Sequence, residues 1–228
     1  MDATLAPRWH TAALVALLLA VALTGTLLQL YGAPTSAAAP EPRGNASPIF
    51  ARYFPLLVVN WSLVVYCSRL FRGRNALPDL LGQRWHTVGR AFTDLACALV
   101  GFFVIIAVEF TFARLFAVRR NAAIAALLPS TGAERLTWGV VAMSVGFCEE
   151  VVYRGYLQTQ IAAATRSRAL GVVLQALLFG LAHLEQGPAA AARIAGYGLL
   201  FGVLAQFRRS LLPGIACHVA VDLAAGFL

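Results

Sequence analysis

The chain has 228 residues, 60% hydrophobic and only 12% charged, with mean hydropathy +0.74 and a formal charge of +8. A soluble domain carries about 25% charged residues, so this composition excludes one and leaves a polytopic membrane protein folded as one helical domain. The positive charge is all arginine and falls at the ends of apolar runs, which fits membrane orientation and anionic lipid rather than nucleic acid.

Seven apolar segments follow in order: 11–31, 49–70, 91–117, 136–157, 169–184, 190–207 and 211–228. No period-two alternation occurs, so a transmembrane β-barrel is excluded. The expected fold is an all-α transmembrane bundle of about seven helices around an intramembrane polar site. The last three segments are short against the roughly 20 residues of a typical span. Ala37–Ala39 offers an A-x-A leader cleavage site. The first apolar stretch is longer than a leader core, however, and only Arg8 stands against Asp2 before it, so an uncleaved helix is expected. Residues 32–48 form a Pro-rich polar loop. Residues 154–168 look amphipathic and are expected to continue the fourth helix along the cytoplasmic surface. With the N-terminus in the cytoplasm, ten arginines fall inside (8, 69, 72, 74, 84, 90, 166, 168, 208, 209) and six outside (43, 52, 119, 120, 135, 193). An Ala- and Arg-rich chain without lysine suggests a bacterial inner membrane.

Several residues read as structural. Cys67, Cys97, Cys148 and Cys217 lie in apolar runs without CxxC spacing and read as small hydrophobes, with Cys148 and Cys217 placed to line a site without ligating anything. Asp94, Glu109 and Arg114 show no partner in the sequence and read as structural or interfacial. No internal repeat is visible, so an inverted-repeat transporter gains no support.

The ionisable residues in the later segments carry the functional signal. Glu149, Glu150 and Arg154 lie in the fourth segment, His183 ends the fifth, and His218 and Asp222 lie in the seventh. An Asp or Arg near a helix centre costs about 2.5–3.5 kcal/mol to insert, so such residues are expected to meet in a polar site. Glu150–Arg154, Phe179–His183 and His218–Asp222 have i, i+4 spacing, which stacks each pair on one helix face. Glu150 and Arg154 can neutralise each other. Glu149, rotated by about 100°, is free for another partner and is the candidate general base. With His183 it could polarise a water, while His218 and Asp222 stabilise an oxyanion or help hold a metal. Two histidines with carboxylates would also suit zinc, through His183, His218, Asp222 and Glu149. Neither HExxH nor GxSxG is present, and Ser144 reads as packing.

At these residues the chain resembles a family. CEEVVYRGYLQ (148–158) is similar to the EExxxR motif of the type II CAAX protease and bacteriocin-processing (CPBP, or Abi) family. LLFGLAHL (177–184) resembles its FxxxH motif, from Phe179 to His183, and RSLLPGIACHVAVD (209–222) its HxxxN/D motif. The three motifs stand in family order. Residues 71–90 resemble the polar segment before the family core only weakly, and residues 1–70 match only as apolar helices. The resemblance implies an intramembrane endopeptidase in which Glu149 and His183 activate water. It implies further that His218 and Asp222 stabilise the oxyanion or join a metal site, with Glu150, Arg154 and Phe179 in support. Many members have Asn where this chain has Asp222. An ionised Asp donates no hydrogen bond, so the residue must be protonated, serve His218, or bind metal. The cofactor expectation is accordingly none or a divalent metal such as zinc.

The chain divides into N-terminal transmembrane helices and loops (1–135) and a catalytic helical core (136–228), within one structural domain. The expected partners are the lipid bilayer and a membrane-associated or lipidated peptide, with a native membrane peptide favoured over a prenylated one. Two other function classes use the same residues: a non-catalytic membrane protein that binds a peptide or partner for immunity or scaffolding, and a small proton-coupled transporter. The sequence leaves oligomeric state open.

Overall fold

The computed structural model describes residues 6–31, 49–69, 76–116, 125 and 127–227. The Pro-rich loop 32–48, and Arg43, Arg72, Arg74, Arg119 and Arg120 of the charge count, lie outside the described residues. The helices are α1 (Arg8–Tyr31), α2 (Ile49–Arg69), α3 (Ala76–Leu81), α4 (Val88–Phe116) and α5 (Gly132–Glu149). The last of these runs into a π-helical segment (Glu150–Gln158) and then α6 (Thr159–Thr165). A loop leads to α7 (Arg168–Leu181), a single 3-10 turn (Leu184–Gln186), α8 (Pro188–Arg208) and α9 (Leu212–Phe227). Among the described residues there is no strand, and the predicted all-helical bundle is what forms.

All seven predicted apolar segments become helices. Four spans are long and apolar enough to cross a membrane: Arg8–Leu28, Val88–Arg114, Gly132–Thr165 and Pro188–Arg208. The shorter α7 and α9, of 14 and 16 residues, reach about 21 and 24 Å, less than the roughly 30 Å hydrocarbon core.

Local chemistry sets the helix ends. Thr131 accepts from the Glu134 backbone N–H while Glu134 reaches back to the Thr131 N–H, a capping box that starts α5. Ser167 caps α7 by accepting from Leu170 N–H at 3.2 Å. Gly187, at φ 99°, turns the chain into α8, where Pro188 takes the first helical position.

The residues expected to lie on the cytoplasmic surface are mostly inside. All nine residues of the π segment are buried, as is Gln160, and exposure begins only at Ala164. The reason is cover from three sides. Leu80 of α3 and Leu211 close over Gly155, where even a methyl group would stand 3.1–3.3 Å from them. The start of α1 covers the rest. Gln160 grips Ala6 through both backbone groups, accepting from its N–H at 3.3 Å and donating to its carbonyl at 3.0 Å. His10 stacks on Tyr66 at 4.0 Å and bonds the Tyr156 hydroxyl at 2.6 Å.

The third segment's unexplained charges also find partners. Asp94 accepts from Arg208 Nε at 2.6 Å and from Trp85 Nε1 at 3.0 Å. Glu109 pairs with Arg193 at 3.2 Å and accepts from the Tyr197 hydroxyl. Asp94 and Glu109 on α4 are 15 residues apart, and so are Arg193 and Arg208 on α8. The two antiparallel helices are thus stapled at points about 22 Å apart, with Ala98, Ile105, Tyr197 and Phe201 packed between them. Arg114 lies over the Phe110 ring at 4.5 Å.

Loops knit one end of the bundle. Gly82 and Ser210 form an antiparallel bridge, flanked by Gln83 N–H to Arg209 carbonyl at 2.8 Å and Leu211 N–H to Leu81 carbonyl at 3.0 Å. Arg90 donates to the Arg208 carbonyl at 3.3 Å. That end also holds the α1 start, the close of α2 and the α6–α7 turn.

Candidate active site

His218, on α9, is the centre of the polar cluster. Its Nδ1 lies 3.1 Å from Glu150 Oε1. Its Nε2 lies 3.6 Å from Glu149 Oε2 and 3.9 Å from Asp222 Oδ2. One imidazole therefore faces three carboxylates. Its flat face stacks on Phe201 at 4.9 Å and 14°, and the Phe179 ring meets it edge-on at 5.9 Å.

Sequence reasoning paired Glu150 with Arg154 and left Glu149 free for another partner, with His183 beside it on a water. The structure adds His218 as a neighbour of both glutamates. The two adjacent glutamates take opposite nitrogens of the same ring, and Glu149 makes its close imidazole contact with His218. In an α-helix, neighbours diverge by about 100°. Here α5 passes into π-helix at Glu150, and the wider i→i+5 winding changes the angular phase from that residue on.

Glu150 also faces Arg154, as the i, i+4 spacing predicted. Arg154 Nη1 lies 3.0 Å from Glu150 Oε1, and both side chains are fully buried. The pair is close, yet Nε, Nη1 and Nη2 of Arg154 and Oε2 of Glu150 have no partner in hydrogen-bond geometry. Aromatic rings surround the cation instead: its guanidinium carbon lies 4.2 Å from the Phe179 ring centre, 5.0 Å from Phe201 and 5.8 Å from Tyr153. Desolvated cation–π contacts of this kind are worth about 2 kcal/mol or more. Gly214 makes room for the free carboxylate oxygen, since a Cβ there would stand 2.7 Å from Glu150 Oε2. The sequence signal for this fit was only the LPG turn that starts α9.

His183 follows the end of α7, and the chain folds back so that its Nδ1 lies 2.7 Å from the Phe179 carbonyl. A carbonyl only accepts, so Nδ1 carries the proton and a neutral ring leaves Nε2 with its lone pair. Phe179 touches both histidines, at 4.9 and 5.9 Å between ring centres. His183 also interacts electrostatically with Asp222. Trp138 Nε1 donates to the Asp222 carbonyl at 2.9 Å and fixes the far end of the cluster.

Cys148 is buried in the main apolar core and Cys217 in the smaller one beside Gly101. Trp61 Nε1 donates to the Ser144 hydroxyl at 2.6 Å, so Ser144 serves packing. Among the described residues, no group of three or more His, Cys, Asp or Glu side chains is arranged to hold a metal ion.

What the site offers is a part-exposed carboxylate beside an imidazole whose remote nitrogen is anchored on a buried one. Separations of 3.6 and 3.9 Å are longer than a direct hydrogen bond and suit one bridged by water. Set against protein families, residues 131–224 match the one described as type II CAAX prenyl endopeptidase Rce1-like, a stretch that holds all three motifs. No curated protein and no solved structure matches the chain.

Proposed function

With an Rce1-like type II CAAX prenyl endopeptidase domain at residues 131–224 of a helical membrane protein, we propose that the chain is an intramembrane endopeptidase that uses Glu149 as its general base. The substrate class is a membrane-associated or lipidated peptide. Glu149 takes a proton from a water held between its carboxylate and the histidines, and the water oxygen attacks the scissile carbonyl. His183, with Nδ1–H held by the Phe179 carbonyl, presents Nε2 to that water. The oxyanion then accepts from His218 Nε2–H, while Glu150 accepts from Nδ1–H. Asp222 orients the same nitrogen or, protonated, donates beside it. Glu149 passes its proton to the leaving amine as the carbon–nitrogen bond breaks.

The observation that carries this reading is the grip on His218: a buried carboxylate on Nδ1 and a part-exposed one near Nε2. A structural histidine in a bundle core needs one partner, not three carboxylates. The test is peptide cleavage in proteoliposomes. Glu149→Gln should lose roughly 10²–10⁴ in rate while eluting and unfolding like the wild type. Normal turnover in that variant removes Glu149 as the base.

A further inference from the structure

We propose that the site opens toward the extracytoplasmic face of the membrane, so that the scissile bond of the substrate is presented from that side. Two independent features support this: the way the cluster is closed and the way charge is distributed.

Exposure of the polar side chains rises along the cluster. It is 0% for Arg154 and Glu150, 8% for His218, 15% for Glu149 and 27% for Asp222. The blind end is the π segment, plugged by Leu80, Tyr156, Leu157 and Leu211. Beyond the plug lie the Gly82–Ser210 bridge and the Gln160 grip on Ala6, which seal that end of the bundle. Asp222 and His183 lie toward the other end, where Glu185 meets Gly25 near the close of α1 and Arg193 meets Glu109.

The sealed end is strongly basic. Among the described residues it holds Arg8 and Arg69, Arg84 and Arg90, Arg166 and Arg168, and Arg208 and Arg209, against Asp79 and Asp94. The open end holds Arg52, Arg114, Arg135 and Arg193 against Glu109, Glu134 and Glu185. Eight arginines face four. Counted in chain order over the full sequence, with Arg114 included, the arginines on the Arg8 side outnumber the others by ten to seven. Arginine-rich short loops stay in the cytoplasm and meet anionic lipid there. The sealed end is therefore cytoplasmic, and the mouth at Asp222 and His183 faces away from it.

The statement about substrate rests on the peptidase reading; the orientation does not. The experiment uses full-length Gln186→Cys, Ala224→Cys and Arg209→Cys in a bacterial host, with the wild type as blank. A membrane-impermeant maleimide is applied to spheroplasts and to inside-out vesicles. Labelling of Gln186→Cys and Ala224→Cys in spheroplasts, with Arg209→Cys labelled only in inside-out vesicles, is the expected result. The reverse pattern, or Ala224→Cys reached only from the Arg209 side or from neither, overturns the inference. In oriented proteoliposomes, a membrane peptide offered on the Gln186 side should be cleaved and one offered on the Arg209 side spared. Cleavage only from the Arg209 side also overturns it. Expected labelling with no cleavage from either side upholds the opening and rejects the peptidase reading.

Discussion

Arg154 is held by one carboxylate and by rings, and its removal has a magnitude that can be worked out. Arg154→Met leaves Glu150 fully buried beside His218, with Oε2 already unpartnered. Breaking one half of a buried pair costs about 3–5 kcal/mol, and the lost cation–π contacts add to it. Relief of the three guanidinium nitrogens that lack hydrogen-bond geometry acts in the other direction. The stranded carboxylate wins, because a fully buried charge that keeps only the His218 Nδ1–H costs more than one paired with a poorly bonded cation. Since 1.4 kcal/mol is a factor of ten, the unfolding equilibrium should shift by roughly 10²- to 10³-fold or more. The double variant Glu150→Gln/Arg154→Met should recover most of the loss, because a neutral amide still accepts from His218 Nδ1 and no charge is left alone. The assay is denaturant unfolding in detergent micelles, read as a double-mutant cycle. A single variant within 1 kcal/mol of wild type, or a double variant as unstable as the sum of the singles, would refute this account of the pair.

Other outcomes follow from particular contacts. Gly214→Ala places a methyl against Glu150 Oε2 and should displace the carboxylate from His218. Turnover should fall by on the order of 10²-fold, with the helix retained by circular dichroism; unchanged turnover shows that Glu150 does not position the ring. Asp222→Asn, assayed across pH with and without chelator, separates two roles. Tolerance with chelator insensitivity fits an amide that donates to the oxyanion, whereas joint loss of activity and metal affinity fits a ligand. Arg208→Ala strands buried Asp94, which keeps only Trp85. It should lower stability by about 1–3 kcal/mol in the same unfolding assay without changing the pH profile of cleavage; an altered profile would tie α4–α8 packing to the site.

The helices were legible because apolar runs and their breaks are one-dimensional. The Glu150–Arg154 and His218–Asp222 proximities were legible for a related reason: i, i+4 pairs need no knowledge of the fold. The Thr131–Glu134 capping box was also readable from its T-x-x-E spacing. The π winding was not, since no apolar period separates it from an α-helix of nine residues. Without it, the two glutamates read as facing different partners. Asp94–Arg208 and Glu109–Arg193 join residues far apart in sequence, although the shared spacing of 15 on two helices was a visible hint. The reading of 154–168 as a continuation of the fourth helix held, but its surface placement held only from Ala164 on, because the earlier polar residues face protein: Gln158 bonds the Gly202 carbonyl and Gln160 the start of α1.

The grip of Gln160 on Ala6 means that the stretch matched by the family is not the unit that folds. Cut free at residue 131, α5 and its π-helical extension would bare the Tyr156 hydroxyl, the Gln160 amide and the apolar wall otherwise covered by Leu14, Leu18, Val64 and Leu80. The two pieces should behave as halves of a split protein. Residues 131–228 made alone should be degraded or aggregate, and should be rescued when residues 1–130 are supplied in trans. The N-terminal helices would then act as a resident chaperone for the site, a dependence invisible to any comparison that aligns the motifs alone.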